Sequence, residues 1–225
     1  LLQSVQAGAL EEGPYYWGIG DALQQMGKYE EAIAAYQQAF EGLAGMGIAE
    51  LPEQAEVPPF YVSLEKMVDS KTILVRYRAT IEPQSMADVV PMCEAGCVGC
   101  IAVILRKMGR HEEAIAKEQQ ALDLLAPLRR MELLEGGCYM GMASALKELG
   151  RYEEAVAACK RGLSLFRRVK GAESVQAAAQ MALGSGYLKL SRYHKALANL
   201  QRALGVFETV EGTEAAQQYC REQIA

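Results

Sequence analysis

A six-residue segment returns along the chain at a fixed spacing, and this recurrence constrains the fold more than any other feature. It reads Gly27-Lys28-Tyr29-Glu30-Glu31-Ala32, Gly109-Arg110-His111-Glu112-Glu113-Ala114, Gly150-Arg151-Tyr152-Glu153-Glu154-Ala155 and, more loosely, Ser191-Arg192-Tyr193-His194-Lys195-Ala196. The spacings are 109 − 27 = 82, 150 − 109 = 41 and 191 − 150 = 41 residues. A period in the range of roughly 20–50 residues marks a stacked repeat, because one such unit cannot bury its apolar face alone. Since 82 is twice 41, the spacing predicts a further unit hidden near residue 68.

Positions 41 residues apart fall into columns. Ile19, Phe60, Ile101, Met142 and Leu183 form a large apolar column, and Leu23, Leu64, Leu105, Leu146 and Tyr187 form another. Gly20, Tyr61, Ala102, Ala143 and Gly184 are mostly small, as are Ala32, Ile73, Ala114, Ala155 and Ala196. Small residues let two helices approach, and large ones fill the gaps between them. In the first unit Tyr16, Ile19, Gly20 and Leu23 recur at helical spacing. Gly27 ends that helix, as glycine does where a left-handed backbone is needed. Glu30 and Glu31 suit the positive end of the next helix, whose buried stripe is Ala32, Tyr36 and Ala39. Each unit reads as two antiparallel helices about a tight turn. Leu1-Leu2 stands three periods before Leu124-Leu125 (124 − 1 = 123). The chain is therefore expected to open in the tail of a preceding helix, as a piece of a longer array.

These residues resemble the tetratricopeptide repeat, over nearly the whole chain. The family's unit has about 34 residues. The 41-residue unit here lengthens each of the two helices by about one turn and is similar to the long repeats of kinesin light chains and related adaptors. The resemblance implies an all-α fold: a right-handed α-solenoid of antiparallel helical hairpins, a tetratricopeptide-like superhelix through residues 1–225. Units are expected at 14–44, 55–81 (degenerate), 96–127, 136–169 and 177–209, with 213–225 a capping or truncated helix. The second unit conflicts with itself. The large columns continue through it and read as helix, whereas Val75, Tyr77, Ala79 and Ile81 alternate with Arg76, Arg78 and Thr80 at a strand-like period of two. Helix is the expectation and a non-helical insertion the alternative. The run from Gly45 to Pro59, with two glycines and three prolines, reads as a loop.

Composition excludes several classes of function. With 51% hydrophobic residues, 23% charged and a net charge of −5, the chain has no basic surplus for nucleic acid or anionic lipid. Its longest uncharged apolar stretch, Gly96 to Leu105, is shorter than the roughly 20 residues that cross a bilayer, so no direct membrane insertion is expected. Six cysteines on a chain able to build a helical core read as reduced thiols and an intracellular setting, cytoplasmic or organellar. Cys93, Cys97 and Cys100 have the spacing by which radical enzymes hold an iron–sulfur cluster. On a helix the same spacing is a buried stripe of small side chains, and a Cys-ligated metal protein is the remote alternative. The recurring Glu pairs read as solvated helix starts. His111 takes a turn position and His194 faces solvent. No catalytic, cofactor-binding or metal-binding residue is assigned, and the protein is not expected to be an enzyme.

In the resembled family the first helix of each unit lines a concave groove. The columns placed there are Trp17, Pro58, Gly99, Met140 and Met181; Asp21, Val62, Val103, Ser144 and Ser185; and Gln24, Glu65, Arg106, Lys147 and Leu188. The asparagines and most of the lysines with which relatives clamp acidic or cargo peptides are absent from them. The expected protein-binding residues are Trp17, Asp21, Val103, Arg106, Met140, Ser144, Lys147, Met181, Ser185 and Leu188, with Trp17, Val103, Met140 and Met181 as apolar anchors. Such a surface suits an apolar helix or an extended segment. The expected function is a non-catalytic protein-interaction scaffold: an adaptor, assembly factor or structural subunit of a larger complex. The alternative is a peptide-sensing or cargo-recruiting regulator resembling kinesin-light-chain adaptors.

Overall fold

The computed structural model describes residues 15–44, 60–67, 74–81 and 86–225, the two strands by their backbone alone. Helix α1 covers residues 15–25. It is followed by α2 (Tyr29–Ala44), β1 (Phe60–Met67), β2 (Leu74–Ile81), α3 (Met86–Lys107), α4 (His111–Leu125), α5 (Glu132–Glu148), α6 (Tyr152–Phe166), α7 (Glu173–Lys189), α8 (Tyr193–Phe207) and α9 (Glu214–Ile224). The expected helix tail at Leu1-Leu2 and the loop from Gly45 to Pro59 lie outside the described residues.

The recurring segment makes the turns. Gly27, Gly109 and Gly150 have φ of 74°, 78° and 74°, and Ser191 takes the same conformation at 55°. The residue after each donates its N–H back over the helix end, Arg110 to Leu105 O (2.9 Å), Arg151 to Leu146 O (2.9 Å) and Arg192 to Tyr187 O (2.8 Å). These bonds satisfy carbonyls that the helix leaves unpaired. A second left-handed column, Arg130, Gly171 and Gly212, turns the chain from the second helix of one hairpin into the next. These positions are also 41 apart (171 − 130 = 41, 212 − 171 = 41).

The contacts group the chain into two compact units, residues 1–60 with 82–129, and residues 61–81 with 130–225. In the first, α1–α2 and α3–α4 are helical hairpins. Ala32, Tyr36 and Ala39 are fully buried, and the Tyr36 ring lies so close over Gly20 that a Cβ there would meet it at 2.8 Å. Ala39 and Leu43 of α2 pack with Val90 and Cys97 of α3. In the second unit, α5–α6 and α7–α8 are hairpins and α9 stacks on α8. Gln176 donates to Phe166 O (3.2 Å) and Gln217, 41 residues on, to Phe207 O (2.9 Å). One side chain thus ties each first helix to the end of the helix before it.

The helical-repeat solenoid is as expected, with one local correction. Residues 60–67 and 74–81 are not a degenerate helical unit; they form a two-stranded sheet, as the period-two alternation suggested. Val62 and Glu65 therefore do not continue the groove columns. The physical reason lies in what flanks them: α2 packs directly on α3, so the stack has no place for a hairpin of helices between them. The insertion happens to be one period long (82 − 41 = 41), which is why the columns ran through it. Helix α3 also starts ten residues before the expected 96 and carries Pro91 inside it. Its span Asp88–Lys107, with mean hydropathy 1.8, is long and apolar enough to cross a bilayer by length and composition, which the uncharged stretch alone did not reveal. Half of that span is buried, and Val90, Cys97, Ile101, Ala102, Ile104 and Leu105 are core residues here.

Candidate functional site

In the second unit, α5, α6 and α7 line a small recess of about 30 Å³ that opens to solvent. Met140, Ala143, Ser144 and Lys147 come from α5, Ala155, Val156 and Cys159 from α6, and Ala182, Ser185 and Gly186 from α7. Small residues create it. Gly186 lets α7 approach α6 until a Cβ would stand 2.8 Å from Val156, and a Cβ at Gly162 would stand 3.1 Å from the Met140 thioether. Met140, Ala143, Ala155, Val156 and Cys159 are buried and make an apolar floor. Ser144, Lys147, Ala182 and Ser185 are half-buried and make the rim. Lys147 is the one charged residue in the lining and stands 3.8 Å from the Glu148 carboxylate. An apolar floor with hydroxyls and an ammonium at its mouth offers a methyl-sized group a seat and a peptide's carbonyls and carboxylates hydrogen-bond partners.

Within the second unit Met140, Ser144, Lys147 and Ser185 line this recess together, whereas Met181 and Leu188 pack elsewhere. Met140 is 3% exposed and Met181 is fully buried. Met181 packs among Ala177, Ala178, Leu200, Ala203 and Phe207, and Leu188 lies against the same cluster. Two of the expected anchors are thus core residues, because the small residues of the second helices let those helices close over them. The contributions of α6 to the cleft were not read from the sequence. Their signal was the small column containing Ala155, which leaves room beside Val156.

The remaining expected residues belong to the first unit. Trp17 meets Tyr36 edge-on, with centroids 6.2 Å apart, and covers Gly96 so closely that a Cβ there would collide with the indole. It is half-buried and serves packing. Exposed Asp21 accepts a hydrogen bond from the Tyr36 hydroxyl. Val103 and Arg106 are half-buried on α3, and Arg106 Nε is buried with no hydrogen-bond partner among the described residues.

The three clustered cysteines sit on α3 as free thiols. Burial, with Glu94 nearby, pushes Cys93 up to about 11. Burial, with the neighbouring thiols, pushes Cys97 up to about 12. Burial, with Asp21 nearby, pushes Cys100 up to about 12. Thiols held protonated in this way are poor nucleophiles and poor metal ligands. Among the described residues no three His, Cys, Asp or Glu side chains converge to hold a metal ion.

Comparisons with known proteins agree with this architecture. Tetratricopeptide-repeat family models match residues 137–209 and residues 13–41. No curated protein matches the chain. Among solved structures, the apo form of RapI is similar over 94% of this chain and 46% of its own, at 13% identity and a TM-score of 0.69. A Rap protein complexed with Competence and Sporulation Factor is similar over 96% and 49%, at 17% identity and 0.61. A putative kinesin light chain with nearly identical tetratricopeptide-like repeats, from Podosopora anserina, is similar over 94% and 82%, at 14% identity and 0.59. The chain spans less than half the length of the two Rap proteins, and at these identities the likeness is one of fold. With its helical hairpins, its left-handed glycine turns and these matches, the chain carries tetratricopeptide repeats and folds as a helical-repeat solenoid.

Proposed function

We propose that this chain is a non-catalytic protein-interaction scaffold that seats a segment of a partner protein in the cleft between α5, α6 and α7. The observation that carries this reading is the cleft lining, where Ser144, Lys147 and Ser185 rim an apolar floor. The partner segment is an extended strand or an apolar helix with an aliphatic anchor for the floor and an acidic or carbonyl group for Lys147. Nucleic acid and direct membrane insertion are not part of this reading, since the net charge is −5 and the one helix of sufficient length among the described residues is half buried. The six cysteines, none of them in a disulfide among the described residues, support an intracellular setting. A second reading, a regulator that changes shape when it takes its peptide, is favoured by one observation: a Rap protein of similar fold is complexed with Competence and Sporulation Factor.

The test is to select peptides against the chain from a displayed library, then measure their affinity for Ser144→Arg with Ser185→Arg. Both side chains are half-buried on the rim, so the double variant should keep its helix content and melting temperature while peptide affinity falls at least tenfold. Undiminished binding would place the partner elsewhere. Met140 and Met181 are unsuitable for this test, because charge there would disrupt the core.

A further inference from the structure

The insertion between α2 and α3 does not stay with the helices that flank it in sequence. Residues 61–81 group with the second unit, and there β2 runs alongside α7 and α9. Those helices hold equivalent places in successive repeats, since 214 − 173 = 41. Both are first helices of their repeats. A strand alongside both touches two successive first helices of the unit. The rim of the cleft, Ser144 and Lys147 on α5 and Ser185 on α7, is drawn from the same class of helix. A lone two-stranded hairpin is marginally stable in water, so this one needs a surface to lie on, and the surface it has is α7 and α9.

We propose that the two-stranded sheet of residues 60–67 and 74–81 is a built-in occupant of the first-helix face of the second unit, an intramolecular competitor that a partner segment displaces. The proposal rests on the reading that this face binds a partner, and it adds the regulation of that site. Tethering makes a weak competitor effective. At an effective concentration of about 1 mM, a segment with a Kd of about 100 μM in trans is bound in cis about ten to one. A partner then binds the unaltered chain about tenfold more weakly than it binds the open face.

The experiment compares the full chain with a variant in which residues 60–81 are replaced by a Gly/Ser stretch of equal length. The probe is a fluorescent synthetic peptide of residues 57–84, followed by anisotropy. It should bind the replaced chain at least about tenfold more tightly than the unaltered one. Hydrogen exchange should show α7 and α9 losing protection on replacement and regaining it with peptide. Tyr77→Pro in the full chain, which puts a proline in the interior of β2 where strands tolerate it poorly, should open the face without excising anything. Equal binding to all three proteins, or no binding to the replaced chain while its helix content is intact, would overturn the proposal. Either failure leaves the cleft reading standing, because that reading is tested separately by library peptides and rim substitutions.

Discussion

The guanidinium of Arg192 grips the carboxylate of Glu153 across 39 residues of sequence, with its two terminal nitrogens 2.5 and 3.1 Å from the two oxygens. Arg192 belongs to the turn segment of one repeat and Glu153 to that of the repeat before it. In the first unit Arg110 reaches Glu30 in the same sense at 3.4 Å. It also bonds Glu113 of its own helix at 2.6 Å, as Arg151 bonds Glu154. The recurring Glu pair is thus divided. One carboxylate steadies its own helix start, and in both units the other meets the arginine of the following turn.

This arrangement makes a measurable prediction. Both partners are largely exposed, 43% and 61%, so the bridge contributes about 0.2–1 kcal/mol. A double-mutant cycle of Arg192→Met and Glu153→Gln, followed by urea denaturation, should give a coupling in that range that fades at high salt. A coupling well above it would mean that the pair is shielded in solution.

Two glycines on first helices should respond to alanine with opposite sign. A Cβ at Gly184 would stand 2.6 Å from Leu200, which is fully buried, and 3.3 Å from the Ala196 carbonyl. Overpacking of this kind costs about 1–3 kcal/mol, more than the roughly 1 kcal/mol that alanine gains over glycine in a helix. Gly99 has open space where its Cβ would be, so there the helix gain stands alone. Thermal melts should show Gly184→Ala below the parent and Gly99→Ala above it.

Glu135 should make the chain less stable at neutral pH than it would be without it. Burial is the chief cause holding its carboxyl above the usual range; the Glu132 carboxylate adds to this and Arg168 opposes it. A carboxyl whose folded pKa lies above its unfolded value favours folding most when protonated. Its contribution is complete below the unfolded value of about 4.3 and is lost as pH rises through the folded value. Glu135→Gln should therefore raise the melting temperature at pH 7 and leave it little changed at pH 3.5. Glu113 and Glu154 act in the other direction, because hydrogen bonds from Arg110 and Arg151 hold them below the usual range. Their support is present above about pH 4.3 and is lost on acidification below it.

The sequence carried most of the repeat architecture because the repeat is written in residue size. Gly20 under Tyr36, and Gly184 under Leu200, are legible as small columns because nothing larger fits. The turns were legible through Gly27, Gly109 and Gly150. The column of Arg130, Gly171 and Gly212 was missed because its first member is not glycine. The candidate site was less legible. Periodicity says that Met140 and Met181 share a direction along their helices, and both do lie on packed faces. It does not say whether a following helix closes over them, and for Met181 the chain closes completely. The insertion was misread through a coincidence of length, since a detour of one full period keeps every later column in register.

That detour has a thermodynamic scale. The α4–α5 connection, residues 126–131, and the segment between α2 and α3, residues 45–85, join the same kinds of helix end. Closing the longer loop costs only (3/2)RT times the logarithm of the length ratio, roughly 2 kcal/mol. A junction between consecutive hairpins can therefore carry extra chain for about the energy of one well-packed methyl pair. The stack can thus acquire an appendage at such a seam and keep its own geometry, much as a spine carries ribs.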